Sequence, residues 1–205
     1  MISDMGIRAE RAWALPYELR QRLGYLSPAE VAANRDAVRN AIQQKHKLHR
    51  FVNTVPAWLV EAAQIVLDRY DGDAARLWSD QPTATELRHR LEAFPGIGQK
   101  KAAMAVEILA RDLGKPLRDM SGNDVAYDVH VRRVFLRTGL AEHDEVTHMV
   151  TVARALNPER PGALDLPAWD IGRRWCRPVN PDCQECPLNR ACPRLIDKAS
   201  SVRGI

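Results

Sequence analysis

Apolar residues along this chain recur at three- and four-residue intervals, the repeat of a helix that buries one face. Leu59, Ala62, Ala63, Val66 and Leu67 lie on one such face, and Ala102, Ala103, Val106, Leu109, Ala110 and Leu113 on another. Start signals punctuate the pattern. Ser27-Pro28-Ala29-Glu30 sets a cap, a first-turn proline and a returning carboxylate in order, and Thr83-Ala84-Thr85-Glu86 is a second capping box. The periodicity predicts helices near 7–23, 28–43, 55–70, 84–93, 98–113, 129–138, 143–156 and 167–175. No stretch alternates as a strand would, so the expected fold class is all-α. Residues 114–127 break the pattern with Gly, Pro, Asn and Asp, the chemistry of a loop. Residues 157–168 carry three prolines and read as a connector, and the last ten residues, 196–205, read as frayed.

Composition adds bounds rather than detail. At 205 residues and 45% hydrophobic, the chain can bury one or two small cores. No apolar run approaches a membrane span and no signal peptide opens the sequence. The net charge of +4 permits a polyanionic partner without requiring one. All four cysteines, Cys176, Cys183, Cys186 and Cys192, fall in one stretch with gaps of six, two and five residues. They are too local to staple the whole chain as disulfides, and reduced thiolates fit the cytoplasm or another reducing compartment. Four thiolates in one short loop can enclose one metal centre. Structural zinc favours two matched Cys-x2–4-Cys knuckles, whereas here one tight pair is flanked by two single ligands. That uneven spacing suits a 4Fe–4S cluster better than zinc, with uncoordinated thiols as a third reading.

The most informative string is Leu91-Glu-Ala-Phe-Pro-Gly-Ile-Gly-Gln-Lys-Lys-Ala-Ala103. One helix ends at Phe94, Pro95-Gly96-Ile97-Gly98 turns the chain, and another helix begins at once. Two glycines one residue apart clear side chains from the turn, and the following helix start presents amides and the positive end of its dipole. A single DNA phosphate fits there, held without reading of base sequence. Ile97 is expected to plug into the core and fix the turn. The plain alternative is an ordinary helix–Gly–helix turn.

This string resembles the helix–hairpin–helix DNA glycosylases. Together with Asp128 and the Cys-x6-Cys-x2-Cys-x5-Cys run, it looks like the endonuclease III branch of that superfamily. The resemblance spans residues from about 7 to 195; it is weak over the first eighty residues and specific in the three motifs. It implies a helical domain over 24–140 with the hairpin near 86–108, and a C-terminal region over 141–205 with a 4Fe–4S cluster loop at 176–192. It also implies that residues 1–23 are a remnant of an amino-terminal, cluster-side helical region, in a chain that is either truncated or dispenses with the family's first helices.

Bifunctional members of the family carry a nucleophilic lysine two residues after the second hairpin glycine, here Lys100. They carry an essential aspartate in a Val-Asp-Thr-His-like string, here Tyr127-Asp128-Val129-His130. A neutral amine can attack C1′ of a damaged nucleotide and expel the base, forming a Schiff base. The imine acidifies the 2′ proton and permits β-elimination. Each residue has a plainer reading as well: a lysine at a hairpin can simply hold phosphate, and an aspartate before a helix is usually a cap. The interval between Lys100 and Asp128 is longer than the family usually shows, and the extra residues fall in 114–127.

The resemblance implies a monomeric base-excision repair enzyme, nucleoid-associated if bacterial, that acts on double-stranded DNA with a damaged base or abasic site. Its activities would be glycosylase and AP lyase on oxidised pyrimidines. Alternatives are a monofunctional mismatch or adenine glycosylase, a non-catalytic structure-specific DNA-binding protein, and a zinc-stapled nucleic-acid module. Expected DNA contacts are Gly96, Ile97, Gly98, Gln99 and Lys101 in the hairpin, and Lys47 and Arg50 in the basic stretch Lys45–Arg50. Leu48, framed by those cations, is the candidate wedge for the space that a flipped base leaves. Arg132, Arg133 and Arg137, and Arg173, Arg174 and Arg177, are further candidates to face DNA. Trp169 and Trp175 are expected to pack around the cysteine loop, and His130 to be structural or DNA-facing.

Overall fold

The computed structural model describes residues 1–196; the end of the stretch expected to fray, 197–205, lies outside the described residues. Among the described residues every regular element is helical. The helices are α1 (Ala9–Leu23), α2 (Pro28–Ala33), α3 (Arg35–Gln43), α4 (Thr54–Tyr70), α5 (Ala84–Glu92), α6 (Gln99–Glu107), α7 (Val129–Thr138), α8 (Val146–Leu156) and α9 (Asp165–Arg174), with short 3-10 turns at Ala74–Leu77 and Pro161–Leu164. No helix among them is long and apolar enough to cross a membrane.

The Thr83 capping box forms reciprocally, and Ser27 caps α2. Thr83 Oγ1 accepts the Glu86 amide at 3.2 Å while the Glu86 carboxylate accepts the Thr83 amide at 2.7 Å. Ser27 Oγ accepts the Glu30 amide at 3.3 Å. Two expected helices are interrupted. The 28–43 stretch breaks at Asn34, whose side-chain amide donates to the Glu30 carbonyl at 2.8 Å and competes with the helical ladder. The 98–113 stretch is α-helical only to Glu107 and then widens into a π-type turn over Ile108–Asp112, with the Leu113 amide on the Ile108 carbonyl.

The chain divides into two compact units. Met1–Asp80 and His89–Gly98 form the first, and Gln81–Arg88 with the chain from Gln99 onward the second. The boundaries between the units fall at 80/81, 88/89 and 98/99. The first unit packs α1 to α4 around Leu15, Leu19, Val38, Ile42, Val55 and Val60. Leu48 belongs to this core. At 8% exposure, with its amide on the Ile42 carbonyl, it is an internal plug and is not presented as a wedge. The neighbouring His49 is also buried, bridging the Ser3 carbonyl and the Phe51 amide, each at 3.0 Å. The cationic frame that suggested a wedge marks only the outer face of this turn, where Lys45, Lys47 and Arg50 are exposed.

The hairpin turn closes the first unit. Gly96 has φ +71°, and a Cβ there would lie 2.4 Å from the Trp58 ring. Gly98 differs: a Cβ there would meet nothing within 4 Å. Ile97 is half-buried, short of the full plug expected of it. Gly96→Ala is therefore expected to destabilise the protein by about 2–4 kcal/mol, through a left-handed backbone plus overpacking, and Gly98→Ala by less than about 1 kcal/mol. Denaturant titration of the two variants checks the contrast.

In the second unit α7 runs through a core of Val131, Val134, Phe135, Met149, Ala153 and Ala168. It packs closely on α9, because a Cβ on Gly172 would come within 2.7 Å of His130 Cβ. This close approach fixes where α7 starts, and with it Asp128.

Candidate active site

Lys100 sits in the first turn of α6 and Asp128 is the N-cap of α7. The two oxygens of Asp128 do different things. Oδ1 accepts the amides of His130 and Val131 at 2.8 and 2.9 Å, the geometry of a helix cap. Oδ2 faces Lys100 Nζ at 3.6 Å. The plain and the chemical readings of Asp128 thus coexist on one side chain. Asp128 is nearly enclosed, at 8% side-chain exposure, while Lys100 is 45% exposed. An ion pair so open contributes about 0–1 kcal/mol. Its significance is position: an accessible amine is held beside a fixed carboxylate.

The segment leading into Asp128 is irregular, as expected of 114–127, yet its end is firmly held. Asn123, Asp124, Val125 and Ala126 are all buried. The Asn123 side-chain amide donates to the Ala103 carbonyl at 3.2 Å and to Glu107 Oε1 at 3.1 Å. Arg160 Nη2 donates to Glu107 Oε2 at 2.8 Å, and Arg154 grips both oxygens of Asp124 at 2.7 and 3.0 Å. Gln99 Nε2 reaches the Val125 carbonyl at 3.2 Å, tying the start of α6 to the same segment. The Ala126 amide donates to Asp165 Oδ1 at 2.6 Å. The burial of Glu107, Asn123 and Asp165 was not legible in sequence. Asp165 read as part of a proline-rich connector, and it proves to be the first residue of α9.

His130 is half-buried, and burial lowers its proton affinity, with Arg133 and Lys100 adding to that and Asp128 opposing it. Its Nδ1 lies 3.0 Å from Arg133 Nη2 and its ring meets Trp169 edge-on at 6.0 Å. That is a packing role. Arg133 and Arg137, candidates to face DNA, turn inward. Arg133 donates to the carbonyls of Cys176 at 2.6 Å and Gly172 at 2.8 Å, and Arg137 to those of Arg177 at 2.6 Å and Pro178 at 3.0 Å. Arg132 pairs with Asp144, Arg174 with Asp170, and Arg173 lies over the Trp169 ring. An arginine at helix spacing looks solvent-facing in sequence; here its fork instead satisfies the carbonyls where the cysteine loop leaves α9.

All four cysteines line one cavity, together with Val134, Ile171 and Trp175, which takes up its expected place beside the loop. Arg137 Nη1 approaches Cys176 Sγ at 3.6 Å, and the Arg194 amide approaches Cys192 Sγ at 3.4 Å. Burial pushes the Cys186 thiol up, and the other three sulfurs add to the effect. Among the described residues no group of three or more His, Cys, Asp or Glu side chains is arranged to hold a metal ion.

Two helices joined by a Gly-x-Gly turn, followed by a lysine–aspartate pair, define a chain with the helix–hairpin–helix glycosylase fold. The model superposes on a thermostable thymine-DNA glycosylase with TM-score 0.68 over 96% of this chain and 81% of that one, at 19% identity. In sequence the chain is endonuclease III-like. It is 26% identical over 174 residues to endonuclease III of Thermotoga maritima, covering 82% of this chain and 68% of that protein. It is 23% identical over 159 residues to endonuclease III homolog 1, chloroplastic, of Arabidopsis thaliana, covering 74% of this chain and 37% of the plant protein's length. No protein-family model matches.

Proposed function

We propose that the protein is a base-excision DNA glycosylase with AP lyase activity, acting as a monomer on oxidised pyrimidines and abasic sites in double-stranded DNA. The observation that carries this reading is the Lys100 Nζ–Asp128 Oδ2 approach of 3.6 Å at an accessible lysine. Lys100 is the nucleophile: it attacks C1′ and displaces the base, and the resulting Schiff base undergoes β-elimination of the 3′ phosphate. Asp128 Oδ2 faces the positive charge that develops at C1′ and is placed to take a proton from the amine. The hairpin residues Gly96, Ile97, Gly98, Gln99 and Lys101 hold the DNA backbone, and Lys47 and Arg50 add exposed positive charge. Similarity to endonuclease III and the identity of Lys100 support the bifunctional reading over a monofunctional one, whose family members usually lack that lysine.

The four cysteines fit a 4Fe–4S cluster in type and in placement. They line one cavity together, and their uneven spacing along the chain suits a multi-atom group better than the paired knuckles of a structural zinc. Cys176, Cys183, Cys186 and Cys192 would hold it, and its contribution would be to staple the loop rather than to react. Iron-replete protein is expected to show a broad visible absorption band and about four irons per chain. Cys186→Ala is expected to lose both, and a colourless protein with stoichiometric zinc would overturn the assignment.

The function is tested by incubating purified protein with duplex DNA carrying an oxidised pyrimidine or an abasic site. Strand scission at both, with a β-elimination product, is the expected result. Base release without scission would leave only a glycosylase, and neither would leave a DNA-binding protein.

A further inference from the structure

One buried titratable group has no part in the chemistry above. Asp165, at 8% exposure, opens α9 with its side chain turned inward. Its Oδ1 accepts the Ala126 amide at 2.6 Å, and its Oδ2 is buried with no hydrogen-bond partner. Ala126 lies two residues before Asp128, in the stretch that carries the carboxylate to Lys100. An orphaned carboxyl oxygen in the interior is costly, so a group kept here against that cost needs an explanation.

We propose that Asp165 is a positioning residue, which by holding the Ala126 amide sets the backbone entering Asp128 and so fixes the Asp128–Lys100 pair. This rests on the function proposed above. The hydrogen bond is short and internal, and it is joined by the Gln99 bond to Val125 on the same stretch. Release of Ala126 would free the turn before the α7 cap, and a shift of about 1 Å at a reacting pair is enough to cost about a hundredfold in rate.

Asp165 does this work in its neutral form. Burial pushes its carboxyl up to about 8, with the charges of Asp128 and Glu107 acting in the same direction, while the Ala126 amide and Lys100 act against them. Arg111 also feels this carboxyl. The consequence for stability has a definite sign. The folded chain holds a proton that the unfolded chain releases near pH ~3.9, so stability falls as pH rises from about 4 towards 8.

The test compares wild type, Asp165→Asn and Asp165→Ala for borohydride-trapped adduct on abasic-site duplex, under single turnover at saturating DNA, and for thermal unfolding from pH 5 to 8.5. Asparagine keeps an acceptor for Ala126 but cannot ionise. Asp165→Ala is expected to trap at least about tenfold more slowly, with DNA affinity within about twofold of wild type. Asp165→Asn is expected to recover most of that rate and to flatten the fall of Tm with pH. If Asp165→Ala traps at the wild-type rate, the proposal fails. If Asp165→Ala does not fold, the decision rests on Asp165→Asn: loss of the pH slope with trapping kept supports the proposal, and an unchanged slope or lost trapping overturns it. Absence of trapping by the wild type would instead refute the lyase reading itself, and the pH slope of Asp165→Asn would still be readable.

Discussion

Lys100→Ala should form no covalent adduct with abasic-site DNA under borohydride, and its strand-scission rate should fall by at least about three orders of magnitude. Removal of a covalent nucleophile costs on this scale because no neighbouring group can substitute for the bond it makes. The fold should be indifferent to the change. Lys100 is 45% exposed and its contact with Asp128 is an open ion pair, so the stability loss should stay within about 1 kcal/mol. Binding to undamaged duplex should weaken only modestly, because one phosphate-range cation among several is lost. The combination of intact fold, near-intact binding and abolished adduct separates a nucleophile from a lysine that merely touches phosphate. A phosphate lysine would lose affinity first, and its adduct would persist at saturating DNA.

Asp128 gives the second large effect, and its two oxygens make a clean dissection possible. Asn and Asp cap helices about equally well, whereas Ala costs about 0.5–2 kcal/mol at an N-cap. Asp128→Asn keeps an oxygen for the His130 and Val131 amides and removes the charge that faces Lys100. Its stability should stay within about 0.5 kcal/mol of wild type, while base excision should slow by about 10²–10⁴-fold, the usual range for a group that moves protons or faces developing charge. Asp128→Ala should show the same kinetic loss plus the capping loss. Denaturant unfolding and single-turnover excision together check it. Equal excision rates in Asp128→Asn and wild type would reduce Asp128 to a cap.

The sequence carried the helical architecture because its signals are local. The capping boxes at Ser27 and Thr83, the Gly96–Gly98 turn and the αL stop at Gly139 are each decided within a few residues. The pairing of Lys100 with Asp128 was reachable only through the family resemblance, since periodicity says nothing about contacts 28 positions apart. What escaped was burial of polar groups. Leu48 sits among cations in sequence and in a core in space, because the turn points Leu48 and His49 inward and leaves Lys45, Lys47 and Arg50 outside. Arg133 and Arg137 look like surface charge, yet their guanidinium groups are spent on carbonyls at the start of the cysteine loop. Asp165 gave no signal at all, because its partner is a backbone amide 39 residues away. The long interval after Lys100 has loop chemistry in sequence, and side-chain clasps on Asn123, Asp124 and Ala126 hold its end in place.

The most direct measurement is peptide mapping of the borohydride-reduced adduct formed by the wild-type protein on abasic-site DNA. After nuclease and protease digestion, mass spectrometry should find the reduced sugar remnant on Lys100 alone. A remnant on Lys101, on Lys47 or on the amino terminus, with Lys100 unmodified, would contradict the assignment of Lys100 as the nucleophile held beside Asp128.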